Sequence, residues 1–290
     1  MNLYEGLLGN PVNVKDPMGT TATITIDITV AKDFKVPQPF GWKTGAKDVE
    51  DVKKELLETD RFSSLKGYNA FPQMVDIKKQ LKKLESGNAL EKRNARRQLL
   101  IAGLYMRATF LREMRWWEQF LAKKGVFIKF KIGAIKSPID PPEKQICDVT
   151  GEGPDIYTYL KQYAGKSKYH FNFVLLKSSD INIAQVRIKT KFSGIVIGGE
   201  NVVSVWDKKK KKFVNKPAIY AGLFPQHGFK EWSVVRHELG HVLGLWDVKE
   251  GGGLMSKGEG GGFEYTENLG KKEKKLIDTI KARYPDCLKK

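Results

Sequence analysis

Apolar and β-branched residues alternate with others in "TATITIDITV" (21–30), the period-two pattern of a strand with one face buried. From about 46 to 124 the period changes. "DVEDVKKELLETD" (48–60) and "MVDIKKQLKKLES" (74–86) place apolar residues three and four apart, and a long run from about Leu90 to Lys124 does the same. Period two returns in "VFIKFKIGAI" (126–135), and further strands are expected at "YHFNFVLLK" (169–177), "SGIVIGGENVVSVW" (193–206) and "FVNKPAIYAGLF" (213–224). A helix from about Glu231 to Leu243 follows, then the glycine-rich loop "EGGGLMSKGEGGG" (250–262) and a terminal helix from about Thr266 to Arg283. Strand, helices, several strands and helix in this order predict an α+β fold: a twisted mixed sheet backed by two long helices. No internal repeat is visible.

Composition narrows this picture in three places. With 290 residues and 41% hydrophobic content, the chain can bury a core, so disorder is not the default. The net charge of +18 favours solubility and a weak general attraction to anionic surfaces. Its densest run, Lys208 to Lys212, falls between two strand-like segments and reads most simply as a solvated hairpin loop. Cys147 and Cys287 allow at most one disulfide and lack the spacing of a metal knuckle. The longest apolar stretch, "LLIAGLYM" (99–106), is too short to span a bilayer, and no secretory signal pattern precedes residue 20.

The chemistry concentrates in "RHELGHVLGLWD" (236–247). On a helix, His237 and His241 lie on one face and can aim two neutral imidazole nitrogens at one ion, with Glu238 beside it as a general base. Gly244 stands where a helix ends through a left-handed cap, so the chain can turn back and offer Asp247 as a third, carboxylate ligand. Glu250 is the weaker competitor for that place. His170, in a strand pattern, and His227, in the loop "FPQHGFK", read as packed or solvated side chains, with His227 the better placed for a substrate contact.

"HELGHVLGLWD" resembles the metzincin zinc-peptidase signature H-E-x-x-H-x-x-G-x-x-H/D, in the aspartate form shared by snapalysin-type enzymes. The resemblance implies Zn²⁺ held by His237, His241 and Asp247, with Glu238 as catalytic base. It also implies a turn methionine below the metal, for which Met255 in "GGGLMSKG" is suitably placed. It covers roughly residues 90–290 in organisation and is motif-specific over 237–255; the helical segment 33–88 has no counterpart and reads as an insertion or subdomain. Two departures stand out. Lys257 occupies the position where some metzincins carry a tyrosine, with Tyr265 only nearby, and "QICDVTG" around Cys147 does not match the cysteine switch of matrixin propeptides.

"NLYEGLLGNPVNVKDPMG" (2–19) is similar to the junction that closes the core of RHS-repeat proteins, after which toxin domains begin; Thr20 departs from the usual leucine. The two resemblances divide the chain into a junction (1–19) and a zinc metallopeptidase domain (20–290) with a C-terminal lobe from about 245. They imply an endopeptidase toxin delivered into a target cell without a signal peptide of its own, acting on a protein substrate and opposed by a cognate immunity protein. Two alternatives stay open: a nucleic-acid-targeting toxin, suited by the charge but lacking a phosphodiesterase constellation, and an inactive metal-bound binding module.

Overall fold

The computed structural model describes residues 22–37, 74–143, 146–147, 155–177, 181–182, 184–185, 188–189, 194–198, 202–207, 209–226, 232–249, 253–256 and 268–288. The RHS-like junction, the segment 38–73, His227, Glu250, Lys257 and Tyr265 lie outside them.

The main sheet elements are β1 (Ala22–Val30), β2 (Ile128–Ile135), β3 (His170–Leu176), β4 (Ile195–Ile197), β5 (Val202–Asp207), β6 (Lys212–Pro217) and β7 (Ala221–Pro225). Five of them form one sheet in the order β4-β7-β3-β1-β2. The pairs β1–β2, β1–β3 and β3–β7 are parallel, and only the edge strand β4 runs antiparallel to its neighbour. The fold is therefore mixed α+β with a mostly parallel sheet.

Along β1, Ile24, Ile26, Ile28 and Val30 are fully buried, as the alternation requires. They share one core with Phe171, Phe173, Leu175 and Phe224. Helix α2 (Ala89–Ala122) covers this face. Its 34 residues extend about 51 Å at 1.5 Å per residue. Asn88 starts it with a reciprocal capping box to Glu91, preceded by the shorter helix α1 (Ile77–Ser86). Phe110 of α2 stacks within 5.3 Å of Phe173 and 5.7 Å of Phe224, ring centre to ring centre. Burying each such side chain contributes about 1.5–3 kcal/mol. The stretch 99–106 is the middle of α2, apolar because it is a core helix; no helix among the described residues is long and apolar enough to cross a membrane. A second cluster on the opposite face joins Val174, Leu176, Ala221 and Leu223 to helix α3 (Ile156–Lys161).

Several expected elements differ in extent, each for a local reason. Met74–Asp76 is extended, not helical, because it pairs with Lys35–Pro37; Asp76 then caps α1 by accepting from the Lys79 amide. The stretch 193–206 divides into β4 and β5, which take different partners. The stretch 213–224 divides into β6 and β7, with Tyr220 between them at φ 53°. Helix α4 (Trp232–Val242) matches expectation, though at 11 residues it is short. The terminal helix α5 begins only at Glu273 and runs to Arg283, since Gly270 adopts φ 63° and its amide donates to Asn268 Oδ1, forming a turn before the helix. Leu276, Ile277, Ile280 and Tyr284 return α5 and its C-terminal end to the main core.

Candidate metal centre

Helix α4 ends in a Schellman arrangement. The Leu245 amide donates to the Gly240 carbonyl at 3.1 Å and the Gly244 amide to the His241 carbonyl at 2.9 Å, with Gly244 at φ 92°. The left-handed glycine reverses the chain, so that Leu245 enters the core, Trp246 stays exposed, and Asp247 reaches back toward the helix. A bond from the Val248 amide to the Met255 carbonyl (2.8 Å) ties this segment to the 3₁₀ turn Gly253–Met255.

Both imidazoles are oriented by backbone carbonyls. Nδ1–H of His237 donates to Leu254 O and Nδ1–H of His241 to Leu245 O, each at 2.7 Å. A carbonyl can only accept, so in the neutral rings Nε2 carries the lone pair. These two Nε2 atoms stand 3.1 Å apart, and Asp247 Oδ1 lies 3.1 Å from the first and 3.3 Å from the second. Three electron-rich atoms at such separations need a positive charge between them. Tetrahedral ligands at about 2.05 Å from a zinc ion would be about 3.3 Å apart, so the triangle has the right size for one.

Glu238 reaches the same space differently. One of its carboxylate oxygens and the two imidazoles fall within 4.8 Å of one another, a grouping that could hold a metal ion. The side chain is buried, and its Oε2 has no hydrogen-bond partner. Asp247, with 43% of its side chain exposed, forms the open side of the site.

The protonation states follow from these surroundings. Burial raises the Glu238 carboxyl above its ordinary value, against the opposing pull of His241 and His237. Burial alone would lower His241, but the hydrogen bond to Asp247 and the charges of Glu238 and Asp247 outweigh it and push the ring up to about 9. Asp247 is held far below the usual carboxylate range; the bonds from His237 and His241 outweigh its own desolvation.

Met255 is fully buried and packs its sulfur against the bare face of α4 at Gly240, where a Cβ would collide with it and approach Trp117. All six residues expected at the site (His237, Glu238, His241, Gly244, Asp247 and Met255) are thus brought together. His170 is elsewhere, 3.1 Å from Asp27 on the sheet face that does not carry α4.

Other contributors were not read from the sequence. Gly240 is one, although a glycine inside a helix already signals a packing reason. Gly194, just before β4, is another: a Cβ there would lie 2.7 Å from Glu238 Cγ and 2.8 Å from its Oε1. The third group braces α4 from α2. Arg236 Nε donates to the fully buried Glu113 at 2.8 Å, and its guanidinium lies 4.3 Å from the ring centre of Trp116. Arg112 pairs with the same carboxylate, and Trp117 Nε1–H donates to the Arg236 carbonyl at 2.8 Å.

No family model matches the chain, and no curated protein resembles it closely enough to count as a relative.

Proposed function

We propose that this chain is a zinc-dependent endopeptidase of metzincin type, with His237, His241 and Asp247 as ligands and Glu238 as general base. The observation that carries the reading is the triangle of facing donor atoms, 3.1–3.3 Å on each edge, with an unpartnered carboxylate oxygen of Glu238 beside it. The donor set of two imidazoles and one carboxylate is an ordinary zinc set. An ion held there would polarise a scissile carbonyl and make a water more acidic. Glu238 then takes the proton of the attacking water and passes it to the leaving amine, a task that suits a carboxyl whose pKa burial has raised. Its depth in the site keeps competing solvent from its second oxygen.

The sheet supplies a path for substrate. β4 is one of the two edge strands of the described sheet, and Gly194 just before it adjoins Glu238. An extended peptide pairing along that edge would carry its backbone past the base. The RHS-like sequence at 2–19 supports a toxin role, with delivery into another cell, a protein substrate there and an immunity protein in the producer. A second reading, a toxin directed at nucleic acid, rests on the charge of +18. Purified protein incubated with casein and with DNA, with chelator and after zinc resupply, separates the two. Casein cleavage that chelator stops and zinc restores, with DNA intact, is the expected result; DNA cleavage with casein intact would overturn it.

A further inference from the structure

β5 and β6 pair in a register running from Val202↔Pro217 to Asp207↔Lys212, and neither joins the five-stranded sheet. The hairpin is held at its base, where Tyr157 Oη–H donates to the Pro217 carbonyl at 2.9 Å and the Lys216 ammonium sits 4.8 Å from the Tyr157 ring centre. Its tip projects. There Asp207 Oδ1 accepts from the amides of Lys209 (2.9 Å) and Lys210 (3.0 Å), which fixes the turn by local chemistry alone.

Three features of this tip work against the stability of the folded chain. Lys211 adopts φ 50°, in the left-handed region that glycine or asparagine would occupy with less strain. Lys209, Lys210, Lys211 and Lys212 are all exposed and repel one another. Phe213, next in sequence, is 65% exposed, one of three large apolar side chains left so among the described residues. Strain retained at one surface position points to a use outside the folding of the chain.

We propose that the hairpin tip, Lys209–Phe213, docks on an anionic lipid surface, with the ammonium groups against headgroup phosphates and the Phe213 ring in the interfacial layer. A cluster of lysines beside an aromatic ring is the chemistry of such interfaces. The five residues include no Arg, Asn or Gln, the side chains that read base edges or grip phosphates through two bonds, so a lipid surface fits better than nucleic acid. The proposal does not depend on the metal centre.

The test is co-sedimentation of the full chain with vesicles of phosphatidylcholine alone and of phosphatidylcholine mixed with phosphatidylglycerol. Binding to the anionic vesicles only, weakened by salt, is expected. Each Lys→Gln change should weaken it about fivefold, and Phe213→Ser roughly tenfold. Changing Lys209, Lys210, Lys211 and Lys212 together to Gln should weaken it roughly 100-fold or more. Lys211→Gly is the decisive variant, because it should weaken binding about fivefold while raising the thermal unfolding temperature, opposite signs that a purely structural loop would not give. Equal binding to neutral vesicles, or unchanged binding of the fourfold variant, would overturn the proposal. So would tighter binding to DNA than to anionic vesicles that the fourfold variant abolishes.

Discussion

The segment from Arg236 to Ser256 and the β5–β6 hairpin are held in opposite ways. Around the imidazoles, the contacts cross between distant elements: Arg236 to Glu113 in α2, the Arg236 carbonyl to Trp117, His237 to Leu254, and Met255 to Gly240. The hairpin has its own ladder and its own turn, and Tyr157 bonds to its base. A site proposed to keep three donor atoms within a few tenths of an ångström is braced from several sides, whereas a surface proposed to meet a soft partner needs only a local fold. Substitutions in the two regions should therefore differ in kind.

The largest effect is expected at Glu113→Ala. It leaves the Arg236 guanidinium buried without its carboxylate and should destabilise the protein by about 3–5 kcal/mol, read from urea unfolding. A change under about 1 kcal/mol would mean that the other contacts of Arg236 suffice for it, and that the bracing is weaker than the geometry suggests. Next comes Asp247→Ala. It should weaken zinc binding by roughly 100-fold or more and remove activity, while Asp247→His retains part of both, since imidazole also binds zinc. Wild-type metal content in Asp247→Ala would point to a different third ligand.

Gly194→Ala probes the base without touching a proposed ligand. Its Cβ would press on Glu238 Cγ from 2.7 Å. The turnover rate should fall roughly tenfold to 100-fold with metal content unchanged, because misplacing a general base forfeits part of its contribution. Loss of metal in this variant would tie Glu238 to the ion and contradict its assigned role. The smallest effect belongs to the hairpin. Phe213→Ser should leave the unfolding free energy within about 0.5 kcal/mol of the parent, as for ordinary surface positions. A larger drop would show that the ring supports the body of the fold.

The same contrast explains what could be read from the sequence. The imidazoles, the expected base, the reversing glycine and the second carboxylate lie within eleven residues, and helical spacing with one left-handed turn places them together. β1, β2 and β3 were legible for a similar reason, because each shows its own alternation or apolar run. The bracing was not legible. Glu113 and Arg236 are 123 residues apart, and no local pattern marks a charged residue in a helix as fully buried. Gly194 was only one position in the strand expected at 193–206 until the sheet brought it against Glu238. The division of 193–206 and 213–224 into separate strands also depends on partners, since β4 and β7 join the sheet and β5 and β6 join each other. The left-handed Lys211 was hidden because its neighbours, all lysine, give no turn signal of their own.

Two carboxylates approach the same pair of imidazoles, Asp247 as proposed ligand and Glu238 as proposed base. The most direct measurement is the zinc content and casein cleavage of Glu238→Gln, which keeps the shape of the side chain and removes its basicity. The prediction is about one zinc per chain, as for the parent, with cleavage reduced by roughly 100-fold or more. A Glu238→Gln protein that lost its zinc, or one that cut casein at the parent rate, would contradict the assignment of Asp247 as ligand and Glu238 as base.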